Sequence, residues 1–301
     1  MHRPSPFPRH LAVLTLAMVA WLFAGNHVAA RIAFDHNTGL LLAMLCRAGV
    51  TLVALAALVL CRREPLKLGR STWNWQILLG LLITIQSFCI YSAVARIPVA
   101  LALLVVNLSP MLLALLSWAL GGPAPTRQAI GIMGMILFGL VLVLDIPTRL
   151  TAGISADSQW LTGILFGLTA ATAFSVALWI TEHRLSKIAG SVRSMLTLLV
   201  VFTSSALLGV SDLLPGSLAL PTSESGWIAL LFLVLLYGVA FSTLFICMPR
   251  LDIARNSPVM NMEPVAGMVL GWLILDQVLG SLQVIGGLIV VSGVALLAYR
   301  R

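Results

Sequence analysis

Charge is scarce in this chain: Asp, Glu, Lys and Arg make up 9% of its 301 residues, against about a quarter in ordinary soluble domains. With 60% apolar residues beside so little charge, a water-soluble fold is excluded. Cysteine is also sparse. Cys46, Cys61, Cys89 and Cys247 lie in or beside apolar runs with no C-x-x-C spacing, so neither a disulfide framework nor a metal site is expected, and no cofactor. The motifs G-x-S-x-G and H-E-x-x-H are missing, as is a phosphate loop. Histidine offers little more: two lie in the amino-terminal tail, His27 and His36 fall toward the outer face, and His183 sits in a connector. A membrane-embedded lipid-modifying enzyme would want Ser or Asp beside a deep general base, and Glu263 is the one deep carboxylate.

What the chain does contain is apolar runs of about 20 residues, the length needed to cross a hydrocarbon core of about 30 Å as helix. Ten occur: His10 to Ala30, Thr38 to Leu60, Trp75 to Ala95, Pro98 to Leu120, Arg127 to Leu144, Trp160 to Thr181, Arg193 to Leu213, Gly226 to Met248, Asn256 to Leu275 and Gly280 to Tyr299. Stretches such as Val50 to Leu60 are apolar on every face, which excludes the alternating strands of a β-barrel. The short connectors leave no room for a soluble domain. The expected fold is an all-α integral membrane protein.

The basic residues give an orientation. Fourteen of the 18 fall on the side of the amino terminus: Arg3, Arg9, Arg62, Arg63, Lys67, Arg70, Arg127, Arg184, Lys187, Arg193, Arg250, Arg255, Arg300 and Arg301. Arg31, Arg96 and Arg149 fall opposite, and Arg47 lies inside a span. Cytoplasmic loops carry the excess of Lys and Arg, so both termini are expected in the cytoplasm. The net charge of +8 is thereby a matter of topology, and no nucleic-acid partner is expected. The first run imitates a cleavable signal peptide, but Asn26 and His27 are unusual before a cleavage site, and a retained first helix is expected.

Shifting the chain on itself by 154 positions places Arg96 on Arg250, Asn107 on Asn261, Pro110 on Pro264 and Gly122 on Asp276. One residue further on, Gly131 meets Gly286. The repeating unit is then five helices long, 10–145 and 160–299. Because five is odd, the two copies enter the membrane from opposite sides, the inverted arrangement of alternating-access transporters.

At this point the residues resemble a known family. Arg47 in the second helix, the Glu263-Pro264-Val265 step, Asp276 shortly after it, and Gly286 with Gly293 in the last helix are similar to the drug/metabolite transporter superfamily, EamA-type branch. Members often carry Glu after the fourth helix, where this chain has Gly121-Gly122-Pro123. The resemblance implies a central cavity enclosed by helices one, three, four, six, eight and nine, and export of amino acids or other metabolites, as in the YddG-like exporters.

Candidate cavity residues come from the spans themselves. Pro110 and Pro264 each free the carbonyl four residues back, on Val106 and Met260, and an interrupted helix at membrane depth must be buried in protein or face a polar path. Asn107, Ser109, Asn261 and Glu263 add polar groups at the same two interruptions. Glu263 is costly as an isolated anion, so it could carry a proton, meet a substrate amine, or pair with Arg47, whose expected role is structural. Thr84, Ser87 and Tyr91 share a face of the third helix, Thr172, Ser175 and Trp179 of the sixth, and Tyr237, Phe241 and Phe245 of the eighth. Trp21 and Asn26 mark the first. For any one of these, helix packing is the simpler role.

Aromatic and neutral-polar candidates with a single acid suit a neutral or zwitterionic solute better than a phosphate, which would call for several Lys or Arg. The sequence therefore predicts an inner-membrane carrier of small metabolites, amino acids first, working by export, as a monomer or weak homodimer in the bilayer. A drug or cation carrier is the rival within transport.

Overall fold

A computed structural model describes residues 7–64, 69–122, 124–143, 158–211, 213–214, 216–247, 250–251 and 257–299. Of the basic residues used for orientation, Arg3, Lys67, Arg149, Arg255, Arg300 and Arg301 lie outside these, as does the side chain of Phe245.

The described residues are helical throughout, with no strand. In chain order the helices are α1 (Arg9–Asp35), α2 (Leu40–Arg62), α3 (Arg70–Val94), α4 (Val99–Val106), α5 (Ser109–Ala119), α6 (Arg127–Val143), α7 (Ser158–His183), α8 (Gly190–Val210), α9 (Glu224–Cys247), a 3-10 turn (Ser257–Asn261), α10 (Met262–Leu275) and α11 (Ser281–Tyr299). Seven segments are long and apolar enough to cross a membrane, with α4 and α5 counted together as Val99–Ala119. Arg127–Val143, Val259–Leu275 and Ser281–Leu296 are shorter apolar helices.

Polarity is arranged for lipid. Leu11, Leu14, Met18 and Trp21 form an exposed stripe at helical spacing on α1, while Ala12, Leu16, Val19, Ala20 and Ala24 face inward. Exposed Leu, Val and Phe recur on α2, α6, α9 and α11, whereas Asn26, Arg47, Thr51, Tyr91 and Ser205 are buried. A water-soluble protein does not expose so much large apolar surface.

The fourth and ninth spans break at their Asn residues. α4 stops at Val106, Asn107 and Leu108 form a turn, and α5 restarts at Ser109 with Pro110 in its first turn. The later copy runs from the 3-10 turn ending at Asn261 into α10, whose first turn holds Glu263 and Pro264. Proline lacks the N–H and tolerates only the first turn of a helix, so each break falls just ahead of it. The carbonyl of Val106 is not left bare, since the Ser109 hydroxyl donates to it.

Helix packing fixes which residues meet. α1 lies against α9 and α10, α3 against α7 and α8, and α2 against α8 and α9. α4 packs on α10 and, with α5, on α7, while α6 packs on α11. The last pairing is close. A Cβ placed on Gly286 would stand 2.6 Å from the Gly139 carbonyl oxygen, and one on Gly293 2.5 Å from Ile136. Gly131 and Gly134, also on α6, face open space.

Candidate functional site

Interior polar residues converge where α1, α2, α3, α9 and α10 approach one another. Asn26 is fully buried on α1, and an amide there must find partners. It donates through Nδ2 to the Leu233 carbonyl of α9 at 2.7 Å and accepts from the Tyr91 hydroxyl of α3 at 3.3 Å. One side chain thus ties α1 to α3 and α9.

The next residue, His27, turns to α10. Its Nε2 lies 3.6 Å from Glu263 Oε1, and its buried Nδ1 has no partner among the described residues. Glu263 sits in the first turn of α10, where the unpaired N–H groups of a helix start favour a negative charge.

Arg47 enters from α2 and is 5% exposed. Its guanidinium carbon lies 4.5 Å from the ring centroid of Tyr91 and 4.3 Å from that of Tyr237, so two phenol rings flank it. Cation–π contacts of this kind contribute about 0.5–2 kcal/mol each, which partly offsets the cost of an intramembrane charge. Further rings back this pair. Phe34 meets Tyr91 edge-on at 5.5 Å, Phe241 stacks on Tyr237 at 5.4 Å, and Phe23 meets Tyr237 edge-on at 5.8 Å.

The Arg47–Glu263 pair, one of the roles left open for Glu263, does not form among the described residues. α1 lies against α10 and brings His27 to Glu263, while α2 lies against α8 and α9 and leaves Arg47 among the tyrosines. His27, expected toward the outer face, is buried between α1 and α10. The available signal was its position beside Asn26 on the buried face of α1.

Other predicted residues stand apart from this cluster. Trp21 belongs to the exposed stripe of α1. Thr84 bonds its own helix at the Gly80 carbonyl and Ser175 at the Thr172 carbonyl, Ser109 bonds back to Val106 across the break, and Ser87 donates to Gln86. Thr172 is exposed, and Trp179 stacks on His183 near the end of α7. Asn107, Pro110 and Asn261 are half-buried at the two breaks, and Pro264 is buried. Asn107 Nδ2 is a second buried donor with no partner among the described residues. No group of three or more His, Cys, Asp or Glu able to hold a metal occurs among the described residues.

The EamA-like transporter family matches this chain over residues 10–145 and again over 159–299. The chain belongs to the EamA-like transporter family. It is accordingly a multi-pass membrane carrier of small organic molecules, and not an enzyme. Among solved structures, a crystal structure of a protein superposes with a TM-score of 0.62 at 23% identity, covering 97% of this chain and 99% of that one. That likeness speaks to the fold. No match was found among curated proteins.

Proposed function

We propose that this chain exports small neutral or zwitterionic metabolites, amino acids first, across the inner membrane by alternating access of two inverted five-helix halves. The observation that carries this reading is the polar cluster itself. Asn26, His27, Arg47 and Tyr91 come from the first half, Tyr237 and Glu263 from the second; all but Glu263 lie within helices long enough to cross a membrane, and Glu263 opens the shorter apolar α10. Buried polar groups inside a bilayer are costly and mark substrate paths. Among the described residues, His27 Nδ1 and Asn107 Nδ2 have no protein partner, as groups awaiting a ligand would.

Several features support inverted halves. Moving each packing partner five spans along the chain turns α1 on α9 into α7 on α3, and α2 on α9 into α8 on α3. The two breaks fall at Asn107 and Asn261, and left-handed residues end the broken spans at Gly121 and Asp276. The family also matches twice. With both termini cytoplasmic, α4 and α10 are the outer parts of their spans. They are packed together: Val99 N donates to Gln277 Oε1 at 3.1 Å, and a Cβ on Gly267 would stand 2.6 Å from Leu103. No comparable packing joins α5 to the 3-10 turn among the described residues. In this arrangement the outer parts of the two broken spans close on each other, and the 3-10 turn packs instead on α1 and α11.

Proteoliposomes holding unlabelled amino acid and challenged with labelled amino acid test the reading. Saturable counterflow is expected. A drug or cation carrier remains the second reading because Glu263 offers a counter-charge in the apolar interior, and flux of a lipophilic cation with none of any amino acid would favour it. Coupling is checked in the same vesicles: if the His27–Glu263 pair carries a proton, a pH gradient drives accumulation, and if it does not, flux only equilibrates.

A further inference from the structure

Arg47 poses a question that packing does not answer. It is a buried cation with its guanidinium flanked by two rings, and among the described residues no carboxylate pairs with it. Apart from the Tyr91 hydroxyl, no protein acceptor meets its N–H groups there. A buried guanidinium kept only for structure would be expected to find a carboxylate or a set of helix carbonyls. Beyond these rings the guanidinium keeps parallel N–H groups that match a carboxylate in a bidentate pair.

We infer that Arg47 is the carboxylate receptor of the substrate site, holding the α-carboxylate of an amino acid edgewise between Tyr91 and Tyr237 while Glu263 takes the ammonium group. This rests on the transport reading above and narrows it to zwitterions. The charges fit that class. One guanidinium balances one carboxylate, and the acid beside His27 opposes a dianion such as a phosphate ester while welcoming an amine. Phe34, Phe241 and Phe23 around the two tyrosines add apolar surface suited to an aromatic side chain.

The test is a binding measurement on purified full-length protein, by ligand-induced thermal shift and titration calorimetry. The probes are L-phenylalanine, phenethylamine, which lacks the carboxylate, and 3-phenylpropionate, which lacks the amine. Wild type should bind phenylalanine at least tenfold more tightly than either analogue. Arg47→Gln should lose the preference over phenethylamine while binding phenethylamine within about threefold of wild type, which also shows that the variant is folded. If Arg47→Gln does not fold, Arg47→Lys keeps the charge without the fork and should reduce the same preference several-fold. Glu263→Gln should erase the preference over 3-phenylpropionate instead. The assignment is overturned if none of the probes binds wild type, if the three bind alike, or if the Arg47 variants keep the wild-type preference. Selective binding without any flux in proteoliposomes would instead overturn the transport reading and leave the site standing.

Discussion

Asn26 is the residue on which three helices meet, and its removal should be felt as stability before function. Asn26→Ala removes the bond to Leu233 and takes the acceptor from the Tyr91 hydroxyl, so a loss of about 1–3 kcal/mol is expected. Thermal unfolding in detergent should show a lowered melting temperature. Tyr91→Phe, which keeps the ring over Arg47, should cost less than half as much. Equal losses would mean that Asn26 acts through its bond to Tyr91 alone and that the bond to Leu233 adds nothing. At this scale the sequence was informative about chemistry and poor about partners. Glu263, Asn26, Tyr91 and Tyr237 stood out as polar or aromatic groups in apolar runs, yet the pairing of Glu263 with His27 depends on α1 lying against α10, a contact between residues 236 positions apart that no local pattern encodes. Thr84, Ser87 and Ser175 look like cavity residues by spacing, but hydroxyls in helices readily bond their own backbone, and Thr84 and Ser175 do so.

Elements were far more legible. Runs of the right length, separated by short polar connectors, place most helix bodies within a few residues, because hydrocarbon thickness sets helix length whatever the fold. Proline position likewise announces the two breaks, although the sequence reads as a kink what the structure shows as two separate helices, α4 and α5. The close pairing of α6 with α11 depends on absent side chains. Gly286→Val would push a side chain against the Gly139 carbonyl, and overpacking of this kind typically costs about 1–3 kcal/mol. Gly131→Val, facing open space, should be neutral in the same melting assay. If both variants melt alike, the close approach of α6 and α11 is not what holds them together.

For the whole molecule, charge asymmetry predicts an orientation and the weak 154-residue echo predicts two related halves, neither of which any single helix contains. Alternating access requires that the contact between α4 and α10 open and close. Leu103 and Gly267 report on it, since the Leu103 Cγ lies 3.8 Å from a Cβ built on Gly267. Cysteines at both positions should cross-link under oxidant and stop flux, and reductant should restore it. Flux undiminished by a complete cross-link would rule out opening at that contact.

The central claim is that the polar cluster between the two halves carries a small organic solute, and counterflow in proteoliposomes tests it most directly. Wild type should exchange labelled for unlabelled amino acid saturably, and Glu263→Gln, with a melting temperature within a few degrees of wild type, should lower that exchange at least tenfold. No flux across a broad panel of amino acids, sugars and organic cations, or Glu263→Gln matching wild type on every substrate, would contradict the account.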